Sequence, residues 1–412
     1  MKYGCIAEHL GHSFSKAIHK RLADYEYELL ELTPDDLDKF MKSKDFLAIN
    51  VTIPYKQAVI PYLDKIDERA RQIGAVNTIV NRSGRLYGYN TDFDGMIALI
   101  EKLRIDIEGK KVLVAGTGGT SKTACAVARS LGAREVYKLS RNPSDGSIGY
   151  AEAYERHSDA EVLINTTPVG MFPKDEGCPI DIGGFPHVCG IVDAVYNPLR
   201  TNLVLDGMER GIKAEGGLYM LVAQAVFASE HFLGKKYPEG TVDRVYREMM
   251  MEKENIVLCG MPGCGKSTIG GMLAERLGRK FFDLDAEIVK ISGKEITEIF
   301  AIGGENYFRD IETEVIASLE SESGAVIATG GGAVLRDCNV RMLRRNGRLY
   351  FLDRPLEQLM PTPDRPLALS REAMEARYKE RLPRYTAVAD EILRTDGVAE
   401  HTVNEIIKTM RK

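Results

Sequence analysis

The stretch "IVLCGMPGCGKST", residues 256–268, runs from an apolar strand through a glycine-rich turn into the start of a helix. It satisfies the G-x-x-x-x-G-K-[ST] pattern with Gly260, Gly265, Lys266 and Ser267. The helix that follows, "STIGGMLAERLG", places Ile269, Met272, Leu273 and Leu277 on one face, which is the context the pattern needs. Glycines in the loop let backbone N–H groups point at phosphates, and the helix N-terminus adds its positive end. Gly260, Gly263, Gly265 and Thr268 therefore belong to a nucleotide cradle, Lys266 reaches the outer phosphates, and the Ser267 hydroxyl is placed for Mg²⁺.

Upstream lies a second loop of a different kind. "VLVAGTGGT", residues 112–120, is a strand entering "GTGGTS", with Gly116, Gly118 and Gly119, and with Ser121 where a strict dinucleotide fingerprint has its third glycine. The next strand ends in "KLSRN", which puts Ser140 and Arg141 where an NAD enzyme usually carries Asp or Glu for the ribose hydroxyls. A guanidinium there favours a 2′-phosphate, hence NADP.

With 412 residues the chain exceeds what one hydrophobic core organises, so two or three domains are expected. It has 55 Lys+Arg against 60 Asp+Glu and no long block of one sign, which suggests neither nucleic acid nor a membrane surface as partner. The seven cysteines are scattered, never in a C-x-x-C pair, and fit a reducing cytoplasm. No apolar run approaches a membrane span, and "MKYGCIAEHLGHS" does not read as a secretory signal. Small-molecule partners are expected, with the oligomeric state left open.

Residues 1–105, with strands such as "YGCIA" and "FLAINVTI" between helical stretches, are expected to form an α/β substrate domain. Residues 106–215 alternate strand and helix as a Rossmann-like NADP domain. Helices around 216–250, the first of them nearly all-apolar over 216–234, are expected to pack back on the first domain and complete it. The charged stretch "VYREMMMEKEN", 245–255, separates this half from a P-loop domain with a parallel sheet over 253–412.

In that last domain "FFDLDAEI" sets Asp283 and Asp285 two apart, on one face if both lie on a strand. Such a pair suits one metal-side carboxylate and one that orients an attacking hydroxyl; two solvated loop carboxylates are the alternative. "IFAIGGENYFRDIE" puts Arg309 and Glu312 three apart on a helix, "ATGGGAVL" supplies a second glycine turn, and "DRPLAL" and "KERLPRY" bring Arg365 and Arg381. No N-K-x-D motif for reading guanine is present. Together these features resemble shikimate kinase over roughly 255–412. The resemblance implies an ATP-dependent kinase in which Asp285, Arg309, Arg381, Gly330, Gly331 and Gly332 hold shikimate. It makes Asp285 and Lys266 catalytic, puts Asp283 with Ser267 on the magnesium side, and has a mobile lid bring Arg365 to the transferring phosphate.

The first 250 residues carry "GHSFSKAIH" with Ser13 and Ser15, "NVTIPYK" with Thr52 and Lys56, "GAVNTI" with Asn77, and "GYNTDFDG" with Asn90 and Asp92. Ser13 and Ser15 could serve as helix caps and Asn90 with Asp92 as a turn. In this order, followed by "NTTPVGM", "DAVYNP" and "GGLYMLVAQA", they resemble shikimate dehydrogenase. The resemblance implies that Ser13, Ser15, Thr52, Asn77, Tyr196 and Gln224 contact the substrate, and that Lys56 and Asp92 form the catalytic pair. Gln224 is a lone polar residue on an apolar helix face and must find partners when buried. Ala7, His9 and Lys16 depart from the family's usual opening of glycine, proline and proline, and Asn142 from its usual threonine.

The expectation is a bifunctional enzyme that reduces 3-dehydroshikimate with NADPH and phosphorylates the shikimate formed with Mg-ATP. Two alternatives remain at this point: a dehydrogenase that also takes quinate, and one half acting as an inactive ligand-sensing module.

Overall fold

The apolar runs that the sequence places before each glycine loop become buried central strands. "KVLVA" and "NIVLC" are buried at every position, the pattern of strands covered on both faces. The computed structural model describes residues 1–11, 13–144, 146–173, 176–359 and 371–411. These divide into two units, Met1–Tyr246 and Arg247–Lys412.

The first unit holds two six-stranded sheets. One contains β1 (Tyr3–Ala7), β2 (Tyr27–Glu31), β3 (Ala48–Val51), β4 (Lys65–Ile66), β5 (Thr78–Arg82) and β6 (Arg85–Tyr89), in the order β2-β1-β3-β5-β6-β4. Strands β2, β1 and β3 run parallel, whereas β5 pairs antiparallel with both β3 and β6. The tight β5–β6 turn is made at Ser83 and Gly84, both at positive φ. The second sheet contains β7 (Lys111–Ala115), β8 (Glu135–Ser140), β9 (Ile148–Gly149), β10 (Val162–Asn165), β11 (Gly190–Asp193) and β12 (Lys213–Glu215). It is entirely parallel in the order β12-β11-β10-β7-β8-β9, a doubly wound arrangement whose strand order reverses between β7 and β10. Ligands bind beyond the strand ends at such a point, and the first glycine loop is there.

The helix Leu218–Leu233 packs on the helices Thr91–Leu103 and Ser15–Leu22. Gly95 permits that closeness, because a Cβ there would stand 2.8 Å from the Met220 carbonyl oxygen. Most of the charged stretch 245–255 lies in a helix, Thr241–Lys253, whose Val242 and Tyr246 pack on the core of the first unit.

The second unit is one parallel sheet of β13 (Asn255–Cys259), β14 (Phe281–Asp283), β15 (Val326–Ala328), β16 (Gly347–Asp353) and β17 (Glu391–Arg394), ordered β14-β15-β13-β16-β17. Its core joins Val257, Leu258, Leu273, Val315, Val326, Leu349 and Phe351. The helix Ile296–Ser318 breaks at Gly304, which adopts φ 69° and ψ −165°. No helix among the described residues is long and apolar enough to cross a membrane.

Candidate active sites

In the first unit, Lys56 and Asp92 meet. The Lys56 ammonium donates to Asp92 Oδ2 at 2.7 Å and to Thr120 Oγ1 at 3.2 Å, and both members of the ion pair are buried. Asp92 is held at the start of Thr91–Leu103 because the Asn90 side chain caps that helix, accepting from Phe93 N. Asn90 also donates to the Ala75 carbonyl and to Thr123 Oγ1, so it serves the scaffold.

Asn77 Oδ1 accepts from Thr91 N at 2.8 Å, and Asn77 Nδ2 donates to Thr91 Oγ1 at 3.1 Å and to Gln224 Oε1 at 3.4 Å. The buried amide of Gln224 thus finds the partners its isolation demanded, the Leu221 carbonyl being the other. Ser15 N donates to Ser13 Oγ, while Phe14 packs its ring 5.2 Å from that of Tyr196. Ser13, Ser15 and Tyr196 so lie in one neighbourhood, and Thr52 is half-buried where β3 ends.

The buried Cys5 thiol feels the charges of both Lys56 and Asp92, and burial pushes it up to about 12. Burial pushes the Tyr196 phenol, which lies near the same thiol, up to about 12 as well. Beneath these groups His19 stacks on Tyr27 with ring centroids 3.8 Å apart, and burial drives its imidazole down to about 3, a neutral ring.

The first loop fits a dinucleotide. Gly116 sits at φ 115°, where a Cβ would strike Thr166 Oγ1 at 2.6 Å, and Gly118 starts the helix Gly119–Ser130 with no side-chain cap. The uncapped N–H groups and the open space over Gly118 suit a pyrophosphate. Ser121 replaces the third glycine without obstruction, because its buried hydroxyl donates back to the Gly116 carbonyl at 2.6 Å. Arg141 is exposed beyond β8, whereas Ser140 Oγ turns back to the Asn142 carbonyl at 2.9 Å and so shapes the turn.

In the second unit Gly260, Gly263 and Gly265 all have positive φ, and the helix Lys266–Leu277 also starts without a side-chain cap. Lys266 folds onto its own loop, 3.0 Å from both the Gly260 and Met261 carbonyls, while Ser267 and Thr268 are exposed.

Beside the loop a cavity of about 460 Å³ is lined by Ser267, Asp283, Asp285, Arg309, Gly330–Gly332, Arg377 and Arg381. The two aspartates do not share a strand face. Asp283 ends β14 and caps the next helix by accepting from Asp285 N at 3.1 Å, so Asp285 stands in the helix's first turn. The helix begins one residue after Asp283, which replaces the two-residue strand period with a helical one.

Arg309 donates to Glu312 Oε2 at 2.7 Å and to Glu305 Oε1 at 3.1 Å. Gly332 leaves room for its guanidinium, since a Cβ there would overlap Nη2. Arg381 donates to the Gly331 carbonyl at 3.1 Å, and the Tyr385 hydroxyl donates to the same oxygen.

Glu312 is fully buried, its Oε1 has no hydrogen-bond partner, and burial raises its carboxyl above the ordinary range. Ser267 and Asp283 would hold Mg²⁺ together with phosphate oxygens. No group of three or more His, Cys, Asp or Glu side chains that could hold a metal ion occurs among the described residues. Arg365 lies outside the described residues.

Sequence reasoning assigned no role to Thr120, Glu312, Arg377 or Tyr385. Arg377 and Tyr385 each stand four residues from Arg381, the helical spacing that could have marked them.

Comparison with known families matches residues 5–79 to the shikimate dehydrogenase substrate binding domain and residues 262–411 to shikimate kinase. A shikimate dehydrogenase (NADP(+)) of Clostridium perfringens is 34% identical over 265 residues, covering 60% of this chain and 97% of that protein. The crystal structure of shikimate dehydrogenase 1 from Peptoclostridium difficile has a TM-score of 0.57 at 34% identity, over 60% of this chain and 98% of its own. That of shikimate 5-dehydrogenase from Thermus thermophilus in complex with NADP(H) and shikimate has a TM-score of 0.54 at 28% identity, over 60% and 99%.

Proposed function

We propose that the two sites act in succession on one metabolite, from the premise that the chain belongs to the shikimate dehydrogenase family and carries a shikimate kinase domain. It is a bifunctional enzyme of the shikimate pathway that combines an NADP-dependent dehydrogenase with an ATP-dependent kinase. The first unit reduces 3-dehydroshikimate to shikimate, and the second converts shikimate to shikimate 3-phosphate.

NADPH, when bound, supplies the hydride. Lys56 delivers a proton to the ketone oxygen as negative charge builds there, then recovers one from solvent. Asp92 holds the ammonium in place. Asn77, Gln224, Ser13, Ser15, Thr52 and Tyr196 orient the ring and its carboxylate.

In the kinase unit Arg309 and Arg381 grip the shikimate carboxylate, since a planar guanidinium offers two parallel donors to it. Glu312 keeps Arg309 extended across Gly332. Asp285 orients the attacking hydroxyl and accepts its proton, Lys266 swings from the loop carbonyls to the outer phosphates, and Ser267 and Asp283 hold the magnesium side. The seven free cysteines fit a reducing compartment, so the cytoplasm is the proposed place of action.

The observation that carries this reading is the buried Lys56–Asp92 pair against an uncapped helix N-terminus. The test supplies 3-dehydroshikimate, NADPH and Mg-ATP to the purified chain. Shikimate 3-phosphate with NADP⁺ and ADP in equal amounts is expected; turnover of only one cofactor would make the other half a binding module.

A further inference from the structure

We propose that Thr120 is a positioning residue for the proton donor, through which the cofactor-binding helix aims the Lys56 ammonium; this rests on the role given to Lys56 above. An ammonium has three N–H bonds in fixed tetrahedral relation. One goes to Asp92 Oδ2 at 2.7 Å and a second to Thr120 Oγ1 at 3.2 Å, which fixes where the third points. With Asp92 alone the ammonium could rotate about a single bond and present its free proton around a wide cone.

The rest of the slot comes from the same first turn of helix. Gly119 leaves space for the lysine stem, because a Cβ there would lie 3.3 Å from Lys56 Cβ and 3.4 Å from Lys56 Cδ. One turn on, Thr123 Oγ1 accepts from Asn90 Nδ2 at 3.2 Å and donates to the Gly119 carbonyl at 3.2 Å. Asn90 in turn caps the helix that carries Asp92. The turn that receives the cofactor's phosphates therefore touches Lys56 directly and Asp92 through its cap. Among the described residues, Asp92 is ion-paired to Lys56 and the Cys5 thiol feels its charge. Neither duplicates the bond from Thr120.

The experiment compares Thr120→Val, which keeps the shape and removes the hydroxyl, with Thr120→Ala and Thr120→Ser, all in the full-length chain. Loss of a hydrogen bond to a charged group should lower kcat for 3-dehydroshikimate reduction about tenfold or more. The KM for that substrate and the Kd for NADPH should stay within about twofold, since the bond that is lost joins two protein groups and its aim matters only when the proton moves. The solvent deuterium isotope effect on kcat should rise as proton delivery becomes slower. Thr120→Ser should restore most of the rate, and the thermal midpoint should stay near the parent's.

Should Thr120→Val unfold, Thr120→Ala against Thr120→Ser gives the same contrast with less bulk. Unchanged kcat in both hydroxyl-free variants, or a loss confined to NADPH affinity, would overturn the proposal. Lys56→Ala, run in parallel, separates the two claims: full turnover there would sink the role of Lys56 itself, whereas a dead Lys56→Ala beside an active Thr120→Val would sink only the positioning.

Discussion

The loop at 116–121 and the loop at 260–268 are built from one plan, a buried parallel strand, a glycine turn with positive φ, and a helix that starts without a side-chain cap. They differ in what closes them. In the first, a neutral hydroxyl, Ser121, donates to the Gly116 carbonyl. In the second, an ammonium, Lys266, donates to the Gly260 and Met261 carbonyls.

The chemistry of each phosphate accounts for the difference. A dinucleotide pyrophosphate is held and never broken, so helix N–H groups suffice. A transferring phosphoryl group gathers charge in the transition state, and a mobile cation inside the loop stabilises it. In the first unit the proposed proton donor, Lys56, stands outside the loop and donates to Asp92.

Removing each cation is the strongest way to test that division. Lys56→Ala should lower 3-dehydroshikimate reduction by about 10² to 10⁴, the usual contribution of acid–base catalysis, with kinase turnover measured in the same sample left unaltered. A parallel fall in both activities would mean that the variant disturbs more than one site. Lys266→Ala should lower phosphoryl transfer by about 10² to 10³, the scale of deleting one donor to the charge of the transition state. Shikimate should then accumulate in a coupled assay followed by chromatography; undiminished ADP release would show that the loop needs no internal cation.

A smaller effect is expected outside the first loop. Arg141→Asp should weaken NADPH binding about tenfold or more, because a charge-assisted bond is exchanged for repulsion, while NADH binding changes little. Equal losses in fluorescence titrations with the two cofactors would remove Arg141 from the 2′-phosphate. The smallest is Ser121→Ala, which leaves the Gly116 carbonyl without its hydroxyl donor and should cost about 1 kcal/mol of stability in the first unit. Denaturant unfolding checks it, and an unmoved midpoint would show that the loop holds its shape from its glycines alone.

Much of this was legible beforehand where the chemistry is local in sequence. The residues from Gly260 to Thr268 are contiguous, and the three positions that take positive φ there, Gly260, Gly263 and Gly265, are all glycine. The apolar strands before both loops also read correctly, because a strand buried on both faces must be apolar throughout. The strand face that Asp283 and Asp285 would share if both lay on a strand is not formed, because a helix begins between them, and most of the charged stretch 245–255 lies in the helix Thr241–Lys253, whose apolar face interleaves with charge.

What the sequence determined by itself was the succession of elements, both phosphate loops and, through family likeness, the identity of the groups that would meet. What only tertiary structure decided was their meeting. The Lys56–Asp92 bond spans 36 residues, the Lys56–Thr120 bond 64 and the Asn77–Gln224 bond 147. Such contacts depend on two sheets and the helix Leu218–Leu233 closing around one place, and they leave no periodic trace along the chain. Helical and strand periods record which face of an element is buried, because burial of apolar surface acts at every turn. A single hydrogen bond between distant side chains is made once, so nothing repeats for the sequence to show.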